Sequence, residues 1–237
     1  MLSDSAPPYA TIVFDCDSTL SSIEGICELA GEEQARELEA LTTQAMGGGA
    51  PLEEVYARRL ELVRPTREQV DRVGERYIET LLPNVKALVR CLLDLGKRVV
   101  VVSGGLLPPV TAVARHLGIE EAHAVDIYFD DKGDYAGFDA TSPLARSGGK
   151  PELLRHIGKD PADHPMALIG DGLTDLEAAG DVARFIAFGG VERREQVFRE
   201  ARIHCIEPDF RALLTLLLSP EEIETLGARP EHASLLK

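Results

Sequence analysis

Asp15 and Asp17 stand two residues apart in Thr11-Ile12-Val13-Phe14-Asp15-Cys16-Asp17-Ser18-Thr19-Leu20, directly after an apolar run. That pattern reads as a short buried strand that delivers both acids to a sheet edge, where open α/β folds bind ligands. Two ionised carboxylates a few Å apart repel by about 1 kcal/mol in water and several-fold more in a less polar site. Such a pair asks for a proton or a divalent cation. Taken alone, the segment also fits a strand followed by an ordinary Asp/Ser/Thr helix cap.

Three other segments carry matching chemistry. Ser103-Gly104-Gly105 offers a hydroxyl and two unhindered backbone N–H groups, which suit a phosphate oxygen or make a tight turn. Gly170-Asp171-Gly172-Leu173-Thr174-Asp175 adds carboxylates at another strand end, although Asp175 alone would pass for a first-turn helix acid. In Ser147-Gly148-Gly149-Lys150-Pro151, Pro151 fits the first position of a helix, which puts Lys150 at its N-terminus. A cation there opposes the helix dipole by roughly 0.3–1 kcal/mol, and a nearby anion would offset that.

The elements that must position these residues are legible as patterns. Residues 20–82 read as helices uninterrupted by any strand: 32–46, ended by Gly47-Gly48-Gly49, then 52–63 and 67–82. From residue 84 onward helices and strands alternate. Val85, Leu88, Val89, Leu92 and Leu93 fall at helical spacing, and residues 98–103 form a β-branched buried strand. A helix over 109–117 follows. Residues 124–129 and 134–138 read as a β-hairpin around Asp130-Asp131-Lys132-Gly133. A helix from Pro151, a strand at 166–169, a helix at 174–179 and strands at 183–188 and 203–206 complete the alternation. The C-terminus reads as helical over 210–218 and then frayed. The fold expected is α/β, a doubly wound and mostly parallel sheet. Residues 1–20 and 83–237 would form its core, with 21–82 as an inserted helical cap placed to close over substrate.

Composition narrows the partners. The 237 residues carry a net charge of −15, which argues against nucleic acid or an anionic membrane surface. No signal peptide is visible at the N-terminus, and no apolar stretch approaches the roughly 18 residues that a membrane span needs. Cys16, Cys27, Cys91 and Cys205 read as free buried thiols of a cytoplasmic protein. The histidines show no zinc spacing. Cys205 and Arg211 have the spacing of a Cys-based phosphatase, but Ile206-Glu207-Pro208-Asp209-Phe210 holds no glycine and two acids that would repel phosphate. Asp126, Asp130, Asp131 and Asp134 do not fit a calcium loop and read as hairpin and surface acids.

In order, the Asp-x-Asp-Ser-Thr start, Ser-Gly-Gly, the lysine and Gly-Asp-Gly-x-Thr-Asp resemble the signature of the haloacid dehalogenase-like hydrolases. Within them the chain resembles the phosphoserine phosphatases. Ala45-Met46-Gly47-Gly48 with Pro51-Leu52 and Arg59-Leu60 resembles their cap. Tyr135-Ala136-Gly137-Phe138-Asp139 and Phe188-Gly189-Gly190 with Arg194 extend the likeness to the eukaryotic-type members, over about residues 11–210.

The resemblance implies Mg²⁺-dependent hydrolysis of phosphoserine, the last step of serine biosynthesis, through an aspartyl-phosphate on Asp15. Asp17 would be general acid and then base. Asp15, the Asp17 carbonyl and Asp171 would hold Mg²⁺. Ser103, Gly104 and Lys150 would neutralise the phosphoryl group, and Asp175 would orient Lys150 or a metal-bound water. Glu24 would bind the substrate ammonium and Arg59 its carboxylate, with Met46, Thr174 and Arg194 as further substrate contacts. Helical spacing supports Arg59, because it interrupts an apolar stripe of Leu52, Val55 and Leu62. Arg58 lies near Glu54 and Glu61 and reads as surface. Leu52 and Leu106 stand where the family commonly has Phe, which touches pocket packing and leaves the reacting groups intact. The partner expected is a small phosphomonoester, and self-association as a homodimer is left open. Another small phosphomonoester, transfer to an alcohol, or a non-catalytic binding protein of the same fold are the competing readings.

Overall fold

The computed structural model describes residues 8–46, 52–232 and 235–236. β1 (Thr11–Phe14) is buried along its whole length. A strand apolar on both faces belongs inside a parallel sheet covered by helices. α1 (Gly25–Glu28), α2 (Glu32–Met46), α3 (Leu52–Val63) and α4 (Arg67–Glu79) follow it without an intervening strand element. The alternation is then α5 (Val85–Asp94), β2 (Arg98–Leu106), α6 (Leu107–Leu117), β3 (Glu121–Val125), β4 (Ile127–Phe129), β5 (Tyr135–Phe138), α7 (Gly149–Ile157), β6 (Met166–Gly170), α8 (Leu173–Glu177), β7 (Arg184–Phe188), α9 (Glu195–Glu200) and β8 (Ile203–Cys205). α10 (Leu214–Leu217) and α11 (Pro220–Gly227) close the chain.

Six strands form one parallel sheet in the order β3-β2-β1-β6-β7-β8. Phe14 is level with Val101 on one side and Ile169 on the other. The residues that follow β1, β2 and β6 therefore emerge side by side at one edge. The order also reverses at β1, since the chain goes first to β2 and later returns to β6 across it. Such a reversal leaves the crevice where α/β sheets take ligands.

The helical segment leaves and rejoins the sheet through a paired neck. Ser21 and Leu81 form an antiparallel bridge, the Leu82 N–H donates to Leu20 O at 3.0 Å, and the Ser21 and Thr80 hydroxyls are 2.8 Å apart. α4 opens on a capping box between Thr66 and Gln69. Its buried face, Val70, Val73, Gly74 and Tyr77, includes the residues that meet α6. A Cβ at Gly74 would come within 3.1 Å of Ala112 and 3.4 Å of the Pro109 backbone, so a glycine is what lets α4 and α6 touch.

Three local expectations change. The hairpin is shorter than residues 124–138, because Ala124 and Val125 belong to β3 at the edge of the main sheet and only β4 and β5 pair antiparallel. The described residues after 218 do not fray: Ser219 and Glu222 form a capping box, α11 buries Leu226, and Glu222 pairs at 2.5 Å with the buried Lys97. Cys27 is exposed, whereas Cys16, Cys91 and Cys205 are buried, and all four are free thiols. No helix among the described residues is long and apolar enough to cross a membrane.

Candidate active site

Ser103, Gly104 and Gly105 lie inside β2 as extended strand, not in a tight turn after it. The buried Ser103 hydroxyl accepts the Gly105 N–H at 3.0 Å and points at Asp17 Oδ2, 3.4 Å away. Asp15 and Asp17 follow β1, and the Asp15 N–H is held by Ile169 O at 2.9 Å. Asp171 follows β6. α7 begins at Gly149, so Pro151 is its third residue, not its first, and Lys150 still sits in the first turn.

Lys150 is 2 % exposed and is the cation between Asp15 and Asp175 of the acidic cluster, as Arg194 is beside Asp171. Its ammonium donates to Asp175 Oδ1 at 2.6 Å and lies 3.2 Å from Asp15 Oδ1. Burial alone would lower its pKa, but Asp15 and Asp175 outweigh burial and hold it above the ordinary lysine value. The charge that opposes the α7 dipole is offset by these two anions, as the sequence implied.

Asp15, Asp171 and Asp175 bring carboxylate oxygens within 4.8 Å of one another. Asp15 Oδ1 is buried without a hydrogen-bond donor, because its contact with Lys150 is not aligned for one. Burial first, and the charge of Asp15 second, push Asp171 well above the usual carboxylate range. Asp175 is pushed to about 6 by burial, against the pull of Lys150. A crowded set of hard oxygen donors with one orphaned oxygen fits a divalent cation. Asp175 is engaged on both oxygens, by Lys150 and the Gly172 N–H, and so is Asp171, by Thr19 and Arg194, so a bound cation would have to share these carboxylates with their present donors.

The raised acids set a pH dependence. A carboxyl whose folded pKa lies above its unfolded value contributes stability below pH ~4 that is lost as pH rises through the folded pKa. In EDTA the melting temperature is therefore expected to fall between pH ~4 and ~7, and a divalent cation should flatten that fall. A melting temperature that climbs over this window without metal would show the cluster is not strained by its own charge.

Asp17 is bound on both oxygens. Oδ1 accepts the Gly25 N–H at 2.6 Å and the Tyr77 hydroxyl at 2.5 Å, while Oδ2 faces Ser103. Burial and the charge of Glu24 push its pKa up to about 7, although both Oδ1 donors oppose this. Glu24 Oε1 accepts from Ser18 at 2.9 Å and from Arg194 at 3.2 Å. Arg194 also donates to Asp171 Oδ2 at 2.9 Å, so it ties the helical segment to the sheet edge.

Most of these residues surround one pocket of about 130 Å³; Lys150 and Asp175 are not in its lining and reach it through Asp15, which Lys150 contacts at 3.2 Å. Asp15, Asp17, Glu24, Arg59, Ser103, Gly104, Asp171, Thr174 and Arg194 all line it, as do Leu52 and Leu106. The buried stripe of α3 is Val55, Tyr56, Leu60 and Val63; Arg59 sits on its margin and Leu62 is only half-buried. Arg59 Nε is buried and lacks a hydrogen-bond partner. Arg58 is on the surface as expected, but it pairs with Glu37 of α2. Met46 ends α2, and its side chain, like Gly47 to Gly49, lies outside the described residues. Cys205 lies at the end of β8, its pKa raised by burial, and Arg211 is paired with Asp209 at 2.6 Å.

Sequence reasoning missed Tyr77, Gly25 and Thr19, whose hydroxyl donates to Asp171 Oδ1 at 3.2 Å. For Tyr77 a signal existed. It ends the buried stripe Val70, Val73, Tyr77, and a buried phenol needs an acceptor.

The chain belongs to the haloacid dehalogenase-like hydrolases, whose defining sequence pattern matches residues 12–180. It is 39 % identical over 211 residues to the phosphoserine phosphatase of Drosophila melanogaster, covering 86 % of this chain and 76 % of that one. A substrate-bound phosphoserine phosphatase complex superposes with a TM-score of 0.78 at 26 % identity, over 90 % of this chain and 100 % of the other. A phospho-aspartyl intermediate analogue of phosphoserine phosphatase does so with a TM-score of 0.76 at 26 % identity and the same coverage.

Proposed function

We propose that this chain is a Mg²⁺-dependent phosphoserine phosphatase that hydrolyses O-phospho-L-serine to serine and phosphate. The observation that carries this reading is the single pocket into which Asp15, Asp17 and Ser103 enter from the sheet while Glu24 and Arg59 enter from the helical segment. The phosphoserine phosphatases among its relatives support the same substrate. Residues 1–20 and 83–237 act as the catalytic core and residues 21–82 as its cap. The free thiols fit a reducing, cytoplasmic setting.

Asp15 attacks phosphorus while the bond from phosphorus to the seryl oxygen breaks, giving serine and an aspartyl-phosphate. Asp17 donates its proton to the departing oxygen. A pKa near 7 keeps a useful fraction of Asp17 protonated at neutral pH. In the second step Asp17, now a carboxylate, takes a proton from water as the water oxygen bonds to phosphorus and the Asp15–phosphorus bond breaks. Lys150, with Ser103 and the Gly104 N–H, faces the phosphoryl oxygens, and Asp175 holds Lys150 in place at 2.6 Å. Asp15, Asp171 and the Asp17 carbonyl would hold Mg²⁺, which would supply charge neutralisation for the phosphate and carboxylates. Glu24 receives the substrate ammonium. Arg59, whose Nε has no partner, receives its carboxylate. Thr174 and Arg194 line the same pocket.

The protein should release phosphate from phosphoserine in Mg²⁺ faster than from other phosphorylated metabolites, and stop in EDTA. Equal release across the panel, or none, would overturn the assignment. Arg59→Ala should lower kcat/KM for phosphoserine about tenfold to a hundredfold, the worth of one charge-assisted hydrogen bond, and spare an aryl phosphate. Equal loss on both substrates would remove Arg59 from the carboxylate.

A further inference from the structure

We propose that Tyr77 and the Gly25 N–H together aim Asp17, so that Oδ2, and not Oδ1, moves the proton in both half-reactions. Tyr77 is a positioning residue, and the proposal rests on the reading of Asp17 as acid and base.

The hydrogen bonds of Asp17 divide its two oxygens. Oδ1 accepts from the Gly25 amide at 2.6 Å and from the Tyr77 hydroxyl at 2.5 Å. The Gly25 amide can only donate, and the Tyr77 hydroxyl donates to the same atom, so both lone pairs of Oδ1 are taken. Among the described residues Oδ2 accepts only from the Ser103 hydroxyl, at a loose 3.4 Å. The transferable proton therefore belongs on Oδ2. In the first step that proton passes to the seryl oxygen, which keeps the electron pair of the broken bond to phosphorus. In the second, Oδ2 takes a proton from the attacking water. A carboxyl pinned by one oxygen cannot rotate and present the wrong one.

Gly25 is part of the device. A Cβ there would overlap the Tyr77 hydroxyl, so the glycine is what admits the phenol to Asp17. Tyr77 is fully buried on α4 and Gly25 opens α1, which places both donors in the helical segment.

Tyr77→Phe keeps the ring and removes the donor. Its kcat/KM reports the first chemical step and should fall about tenfold to a hundredfold for phosphoserine, whose alkoxide must be protonated. For para-nitrophenyl phosphate, whose phenolate leaves without a proton, it should fall less than about threefold. KM for phosphoserine should change less than kcat. Gly25→Ala, whose methyl would displace the hydroxyl end of an unmutated Tyr77, should repeat the leaving-group dependence. Equal losses on both substrates in these variants, or no loss on phosphoserine, would overturn the role of Tyr77. A wild-type protein inactive on both substrates would instead overturn the functional reading beneath it.

Discussion

Asp15→Asn is expected to abolish phosphate release, by on the order of 10⁴-fold or more, and to leave the fold and melting temperature nearly unchanged. The activity loss follows from removing the atom that bonds to phosphorus, a role no neighbour can take over. The unchanged stability follows from the charges around it. Asp15 faces Lys150 at 3.2 Å, but it also crowds Asp171 and Asp175 within 4.8 Å. The attraction lost and the repulsion relieved are of the same order. Lys150 keeps its shorter bond to Asp175, and the backbone bond from residue 15 to Ile169 does not depend on the side chain. Circular dichroism, a melting curve and a phosphate assay on one preparation check this. Residual turnover within tenfold of wild type, or a collapse of the melting temperature, would contradict it.

Lys150→Met should be inactive too, but it should also destabilise the protein. Lys150 is the buried cation between Asp15 and Asp175, and methionine of similar length strands those carboxylates without a counter-charge. Breaking a buried ion pair from one side typically costs about 3–5 kcal/mol. In a chain of this size each kcal/mol moves the melting temperature by roughly 2–4 °C, so a fall of about 6–20 °C is expected at pH 8. Acidification should shrink that deficit. Asp175 already has a pKa near 6 with the lysine present, and without it the carboxyl takes up a proton more readily. Lysine itself does not titrate here: its raised folded pKa keeps its contribution intact until well above pH 10. Melting curves of wild type and variant at pH 5.5 and pH 8 measure the difference. A deficit that grows on acidification would mean that Lys150 is not compensating carboxylates.

The contrast between these two substitutions reflects what can be read from residue order. Asp15, Asp17 and Asp171 were legible because each follows an apolar run, and a buried parallel strand can only release a carboxylate at its end. Lys150 was legible because a cation at a helix start is unfavourable unless anions are near. β3 was not, since Glu121-Ala122-His123-Ala124-Val125 lacks the β-branched run that marked β2, and its half-buried edge position asks for none. Ser219 and Glu222 carried a capping-box signal that the surrounding polar residues masked. Arg59 was reached through the family resemblance, with its break in an apolar stripe as support, and the observed stripe is offset from the one inferred. Tyr77 was passed over because periodicity registers a buried ring and says nothing of where its hydroxyl ends.

The neck at Ser21 and Leu81 makes the helical segment look like a cassette that evolution or an engineer could exchange at two adjacent cuts. Beyond the Glu24–Arg194 tie, two further contacts restrict that trade. Gly74 is shaped to Pro109 and Ala112 of the sheet-covering helix, and Gly25 with Tyr77 completes a carboxylate that belongs to the sheet. A transplant that changes substrate preference must therefore carry α6 along with α4, and must keep the glycine that opens α1. Grafts confined to α2 and α3 leave both of these seams intact.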